Sequence, residues 1–98
     1  MGIKDYYRQV IHVVEDLTGI TEEEIIGRCR SSEIVDARWL ATKLLSDAGY
    51  YSSQIASVIH RDIRQVQWIV ANFEHRLKFA DPLVRINYDV AAKRLRGN

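Results

Sequence analysis

The sequence predicts an all-α fold, a compact bundle of about six helices that contains a helix-turn-helix. Three observations carry that expectation. Apolar residues recur at steps of three and four along nearly the whole chain. One proline and five glycines give little punctuation. Capping residues stand ahead of the periodic runs at Thr21, Ser32, Asp62 and Asp81. With 98 residues the chain holds a single domain, 1–98, and has enough length for its own core.

The elements follow in order. Tyr7, Val10, Val14 and Leu17 mark an amphipathic helix over 4–17, closed by Thr18-Gly19. Thr21 stands three residues before Glu24, the spacing of a capping box, and opens a short helix to about Gly27. Residues 28–32, Arg-Cys-Arg-Ser-Ser, form a polar loop. Ser32 is expected to cap a long helix whose inward stripe is Val35, Trp39, Leu40, the Lys43 stem, Leu44 and Leu45, stopped by Ala48-Gly49. Ser52 or Ser53 caps a two-turn helix with Ile55, Ala56 and Ile59 inward. After His60-Arg61, Asp62 caps a longer helix whose stripe is Val66, Ile69, Val70 and Phe73, continued by Leu77. Asp81-Pro82 is an N-cap followed by proline at the first helical position. It starts a last helix expected to face inward with Leu83, Ile86, Val90 and Leu95, and to fray at Arg96-Gly97-Asn98.

Composition narrows the function. The 47% apolar and 28% charged content is that of a folded globular chain. One cysteine, Cys29, excludes an internal disulfide and a cysteine-based zinc site. No apolar run reaches about 18 residues, so no membrane partner is expected, and no signal-peptide pattern opens the chain. A reducing, cytoplasmic setting is the expectation. The net charge of +1 conceals an asymmetry. Residues 1–49 hold six Lys/Arg against nine Asp/Glu, and residues 50–98 hold eight against four. That is a mild lean toward a polyanion.

Residues 52–69 carry the functional signal. A two-turn helix, a tight turn and a longer helix form the helix-turn-helix plan, and double-stranded DNA is the partner it implies. Ala56 is small where the helices cross, and Ile55, Ile59, Val66 and Ile69 are apolar where they pack. His60 occupies the turn position that asks for left-handed dihedrals, usually a glycine, and Arg61 replaces a residue that is often apolar. The start of the second helix would offer Asp62, Ile63, Arg64, Gln65, Gln67 and Trp68 to the major groove. Arg64 can fork to guanine O6/N7 and Gln67 can bridge adenine N6/N7, and at i and i+3 they share a face. Equally, both can be ordinary solvated helix residues. Arg28, Arg30 and Arg38 form a second basic cluster, suited to phosphates or a narrow minor groove. Salt bridges to Glu24, Glu33 and Asp36 are the alternative use of these arginines. Taking five converging basic residues, the log–log salt slope of DNA binding should be no steeper than roughly −5.

The run Arg28-Cys29-Arg30-Ser31-Ser32-Glu33-Ile34-Val35-Asp36-Ala37-Arg38-Trp39-Leu40-Ala41 resembles the basic loop and long helix of the C-terminal DNA-binding domain of DnaA, the bacterial chromosomal replication initiator. Ser53-Gln54-Ile55-Ala56-Ser57-Val58-Ile59 is similar to the first helix of that family's DNA-reading motif. The resemblance spans nearly the whole chain and is most specific over 28–41. It implies a Trp-repressor-like helical domain that binds duplex DNA in the bacterial cytoplasm, in replication initiation or its regulation. It also implies that Arg30 probes the minor groove and that Arg38 is the family's helix arginine. Arg61-Asp62 matches the Arg-Asp pair of the family's recognition signature. That signature otherwise departs here: the segment is one residue shorter, lacks both glycines, and has Ile63, Arg64 and Gln65 where the family has His-Thr-Thr. The family's DNA-box preference therefore does not carry over. No phosphate-binding Gly-x-x-x-x-Gly-Lys-Ser/Thr occurs, so the chain has no nucleotide site and reads as an excised domain or a free-standing relative.

Nothing in the sequence marks an enzyme. His12, His60 and His75 lack metal-spaced partners, so neither a metal nor another cofactor is expected. Cys29 lies between two arginines that could activate its thiol, but no base is placed beside it. Tyr50, Tyr51, Trp39 and Trp68 suit core or turn packing. The competing function is a protein-interaction module on the same helices. A basic stripe through Arg28, Arg30, Arg38, Arg61 and Arg64 would favour DNA, and an apolar patch around Ile63, Trp68 and Tyr50 would favour a protein partner.

Overall fold

The long helix in the middle of the sequence organises the molecule. In the computed structural model, which describes residues 2–97, the elements are α1 (Ile3–Thr18), α2 (Glu22–Ile26), α3 (Ser32–Asp47), α4 (Ser52–Ile59), α5 (Ile63–Leu77) and α6 (Pro82–Gly97). The described residues contain six helices and no strand. Helix α3 packs against all five others. Ile34, Ala37, Leu40, Ala41, Leu44 and Leu45 are buried along it, while Val35, Trp39 and Lys43 are half-buried.

Local signals explain the boundaries. Gly19 ends α1 at φ 74°, a left-handed conformation that glycine adopts without steric cost. Thr21 Oγ1 accepts from Glu24 N at 3.3 Å, and Glu24 Oε1 accepts from Thr21 N at 3.0 Å, closing the capping box of α2. Two expected caps move by one residue. The N-cap of α3 is Ser31, with Ser32 the first helical residue. Helix α4 begins at Ser52 behind Tyr51, whose backbone N–H donates to Gln54 Oε1 at 2.9 Å. Gln54 thus satisfies a backbone donor at the helix start that a serine cap would have left to water.

One expected face is turned outward except at Leu95. In α6, Leu83, Ile86 and Val90 are exposed. The inward face is Val84, Tyr88, Ala91, Ala92 and Leu95, with Ala91 fully buried. Tyr88 lies 5.1 Å, centroid to centroid, from fully buried Phe73 of α5. The small Ala91 and Ala92 let α6 approach the bundle closely, and Tyr88 fills the space beside Phe73.

Two tyrosines tie helices together through carboxylates. Tyr7 donates to Glu22 Oε2 at 2.8 Å, joining α1 to α2, and Tyr88 donates to Asp47 Oδ2, joining α6 to the end of α3. Burial, then the hydrogen bond to the carboxylate, holds both phenols above the ordinary tyrosine range. A folded-state pKa above the unfolded one gives stability that is complete below about pH 10 and lost as pH rises further. We expect Tm to fall between about pH 10 and 12, and a Tyr7→Phe/Tyr88→Phe double variant to show a shallower fall in a thermal melt series. An equally steep fall in the variant would contradict the assignment.

Candidate nucleic-acid interface

Helices α4 and α5 are joined by three residues, 60–62, and both pack on α3. Ile55, Ala56 and Ile59 of α4 and Val66, Ile69 and Phe73 of α5 are buried where these helices meet the rest of the bundle. His60 adopts φ 59°, ψ 46°, the left-handed conformation expected of the turn. It is the only non-glycine described residue with positive φ. Its N–H donates back to Ala56 O, and the Arg61 N–H donates to the same carbonyl at 3.2 Å. Asp62 Oδ1 accepts from Arg64 N at 2.7 Å and from Gln65 N at 3.2 Å. Its charge is thus spent on capping α5.

With Val66, Ile69 and Phe73 turned inward, the first turns of α5 present Ile63, Arg64, Gln65, Gln67 and Trp68 to solvent. Arg64, Gln67 and Trp68 stand at i, i+3 and i+4 and share one face. Ile63 is 46% exposed and Trp68 62%. Tyr50 does not join them. It is half-buried, its ring 5.7 Å from that of Tyr6.

The basic cluster divides into two jobs. Arg28 and Arg30 are exposed, and like that of Arg64 their side chains make no ion pair or hydrogen bond among the described residues. Arg38 is buried at 5% exposure, with its guanidinium engaged inside the fold. Its Nε donates to Ile25 O at 2.6 Å, and its Nη2 lies 3.3, 3.2 and 3.2 Å from the carbonyls of Glu24, Gly27 and Cys29. The helix arginine expected to help hold DNA is instead the clasp that satisfies the carbonyls at the end of α2. Arg61 completes that clasp from the α4–α5 turn, donating to Ile26 O at 3.1 Å and to Gly27 O. Burial first, and then the charge of Arg61 on Arg38 and of Arg28 on Arg61, lowers the pKa of both guanidinium groups. Arginine stays charged under such shifts.

Gly27 is required where the two arginines meet. A Cβ there would come within 2.8 Å of Glu23 O, a backbone atom that cannot give way cheaply. Between the loop and the turn lies an open groove of ≈ 740 Å³, lined by Arg28, Arg30, Arg38, His60, Arg61 and Gln65 among others. Asp62 is the one carboxylate on its lining. Elsewhere, Lys43, Arg76, Arg85 and Arg94 are each paired with a carboxylate. The exposed Cys29 thiol has its pKa lowered chiefly by hydrogen bonding to Ser31, with a smaller contribution from the Arg30 backbone N–H.

One cluster joins residues that no local pattern connects. Arg76 bridges to Asp36 at 2.8 Å and lies 4.9 Å from the centre of the Trp39 ring, joining α5 to α3. Asp36 therefore serves Arg76 rather than the loop arginines. No group of His, Cys, Asp and Glu among the described residues could hold a metal ion, and no described helix is long and apolar enough to cross a membrane. No family model matches the chain, and no curated protein or solved structure matches it either.

Proposed function

We propose that the chain binds duplex DNA, with α4 and α5 acting as a helix-turn-helix, α5 in the major groove, and loop 28–31 on the backbone and minor groove. The observation that carries this reading is the set of arginines without carboxylate partners, Arg28, Arg30, Arg61 and Arg64, around one groove and the adjoining start of α5. A surface that concentrates cations without neutralising them favours a polyanion. The left-handed turn at His60 and the outward Arg64–Gln67 face are consistent with base reading from α5. The resemblance of 28–41 to the DnaA C-terminal domain points to replication initiation or its regulation as the setting.

Removing Arg38 from the expected contacts makes the salt dependence shallower. With three or four phosphates neutralised, the log–log slope becomes about −3 to −4. Fluorescence anisotropy of a random duplex across a potassium chloride series measures it. Binding that ignores salt, or no binding at low salt, would refute the proposal.

A second reading rests on Trp68. A tryptophan that is 62% exposed beside Ile63 also suits a protein partner. Trp68→Ala separates the two: a DNA reader loses affinity for duplex, whereas an interaction module has none to lose.

A further inference from the structure

Helix α6 is amphipathic twice over. Its inner face is complete, with Ala91 fully buried and Tyr88 against Phe73. Its outer face nevertheless carries Leu83, Ile86 and Val90, exposed by 54, 54 and 39% and spaced i, i+3, i+7. Rolling the helix to hide them would uncover Ala91 and draw Tyr88 away from Phe73. Arg94 is bridged to Asp16 of α1 at 2.8 Å, and Arg85 to Glu74 of α5 at 3.0 Å, one on each flank of the stripe.

The ends of the stripe carry opposite charge. Asp81 precedes it and Lys93 follows it, about 18 Å apart at the rise of an α-helix. Both are exposed, and neither forms an ion pair among the described residues. Asp81 uses one oxygen, Oδ1, to cap α6 through Leu83 N at 2.9 Å.

We propose that this face pairs with itself, so that two copies of the chain associate through antiparallel α6 helices about a two-fold axis. An acid–apolar–base strip is complementary to its own reverse. In antiparallel register Ile86 of one copy packs on Val90 of the other, and the Lys93 stem covers Leu83 with its ammonium directed at Asp81. Parallel pairing would set Lys93 against Lys93 and Asp81 against Asp81. A strip of three apolar side chains is small, so the dimer is weak and forms with rising concentration. This inference is independent of the DNA reading.

Sedimentation equilibrium of the full chain tests it. The mass-average weight should rise from one chain toward two between about 10 μM and 1 mM, the range of a small, transient interface. Ile86→Glu, at a solvent-exposed position, should leave helical circular dichroism unchanged and hold the protein monomeric throughout. Lys93→Glu enters the interface twice and should weaken association roughly three- to tenfold. Asp81→Ser keeps a capping residue while removing the charge, and in that background Lys93→Glu should cost markedly less. A monomer at every concentration, or a dimer indifferent to Ile86→Glu, overturns the proposal. So does a dimer in which the effects of Lys93 and Asp81 are simply additive.

Discussion

Arg38→Ala is expected to destabilise the fold by about 3–5 kcal/mol, because it removes several hydrogen bonds from a charged donor, each contributing about 1.5–3 kcal/mol, together with a buried stem. The guanidinium is 5% exposed and donates to the carbonyls of Ile25, Glu24, Gly27 and Cys29. Its loss strands carbonyls at the end of a five-residue helix that has little stability of its own. For a domain of this length the loss corresponds to a Tm drop of at least ~12 °C. Arg38→Lys should recover only part of it, because one ammonium cannot reach carbonyls spread from Glu24 to Cys29. Thermal and urea melts measure both. A loss below about 1 kcal/mol would show that the clasp is incidental.

Arg64→Ala is expected to leave stability within about 0.5 kcal/mol, since the side chain is exposed and unpaired. On the proposed reading it should cost about 1–3 kcal/mol at a preferred duplex and flatten the preference at one base pair. Arg30→Ala should instead weaken binding to all sequences of similar minor-groove width and reduce the salt slope by about 0.9. The two residues sit on separate elements without a shared partner, so their effects should roughly add. Selection from a random duplex library, followed by anisotropy on the selected site, supplies the measurement. If Arg64→Ala leaves the preference intact at every position, α5 is not the reading helix.

Features set within a few residues were legible in the sequence, and those set by distant contacts were not. The Thr21–Glu24 box, the left-handed His60 and the Asp62 cap each depend on neighbours within four residues. The orientation of α6 was not legible, because both of its faces carry apolar residues at helical spacing and periodicity cannot rank two stripes. The Phe73 ring, distant in sequence, decides the matter through Tyr88. Arg38 was misplaced by its charge. Its spacing held the correction: Ile34, Arg38, Ala41 and Leu45 stand at steps of four, three and four, and all are buried. The Arg76–Asp36 bridge joins residues 40 apart, beyond any local pattern. For the candidate interface, the outward residues of α5 were legible from periodicity. The division of the arginines between clasp and surface was not, since it depends on which of them can reach the carbonyls of α2.

The shared carbonyl of Gly27 bears on how such a protein can diverge. Arg61, in the turn that leads into α5, and Arg38, in α3, both hold the segment from which Arg28 and Arg30 project. The spacing between that segment and the start of α5 is therefore fixed by backbone contacts, and the outward side chains at 63, 64 and 67 take no part in setting it. Mutational drift at these three positions is decoupled from the integrity of the frame. A lineage could exchange one outward triplet for another by single steps, each intermediate remaining folded and each keeping the same bite. A combinatorial library at 63, 64 and 67 would then be well expressed throughout, whereas one at 27, 38 and 61 would be mostly lost to misfolding.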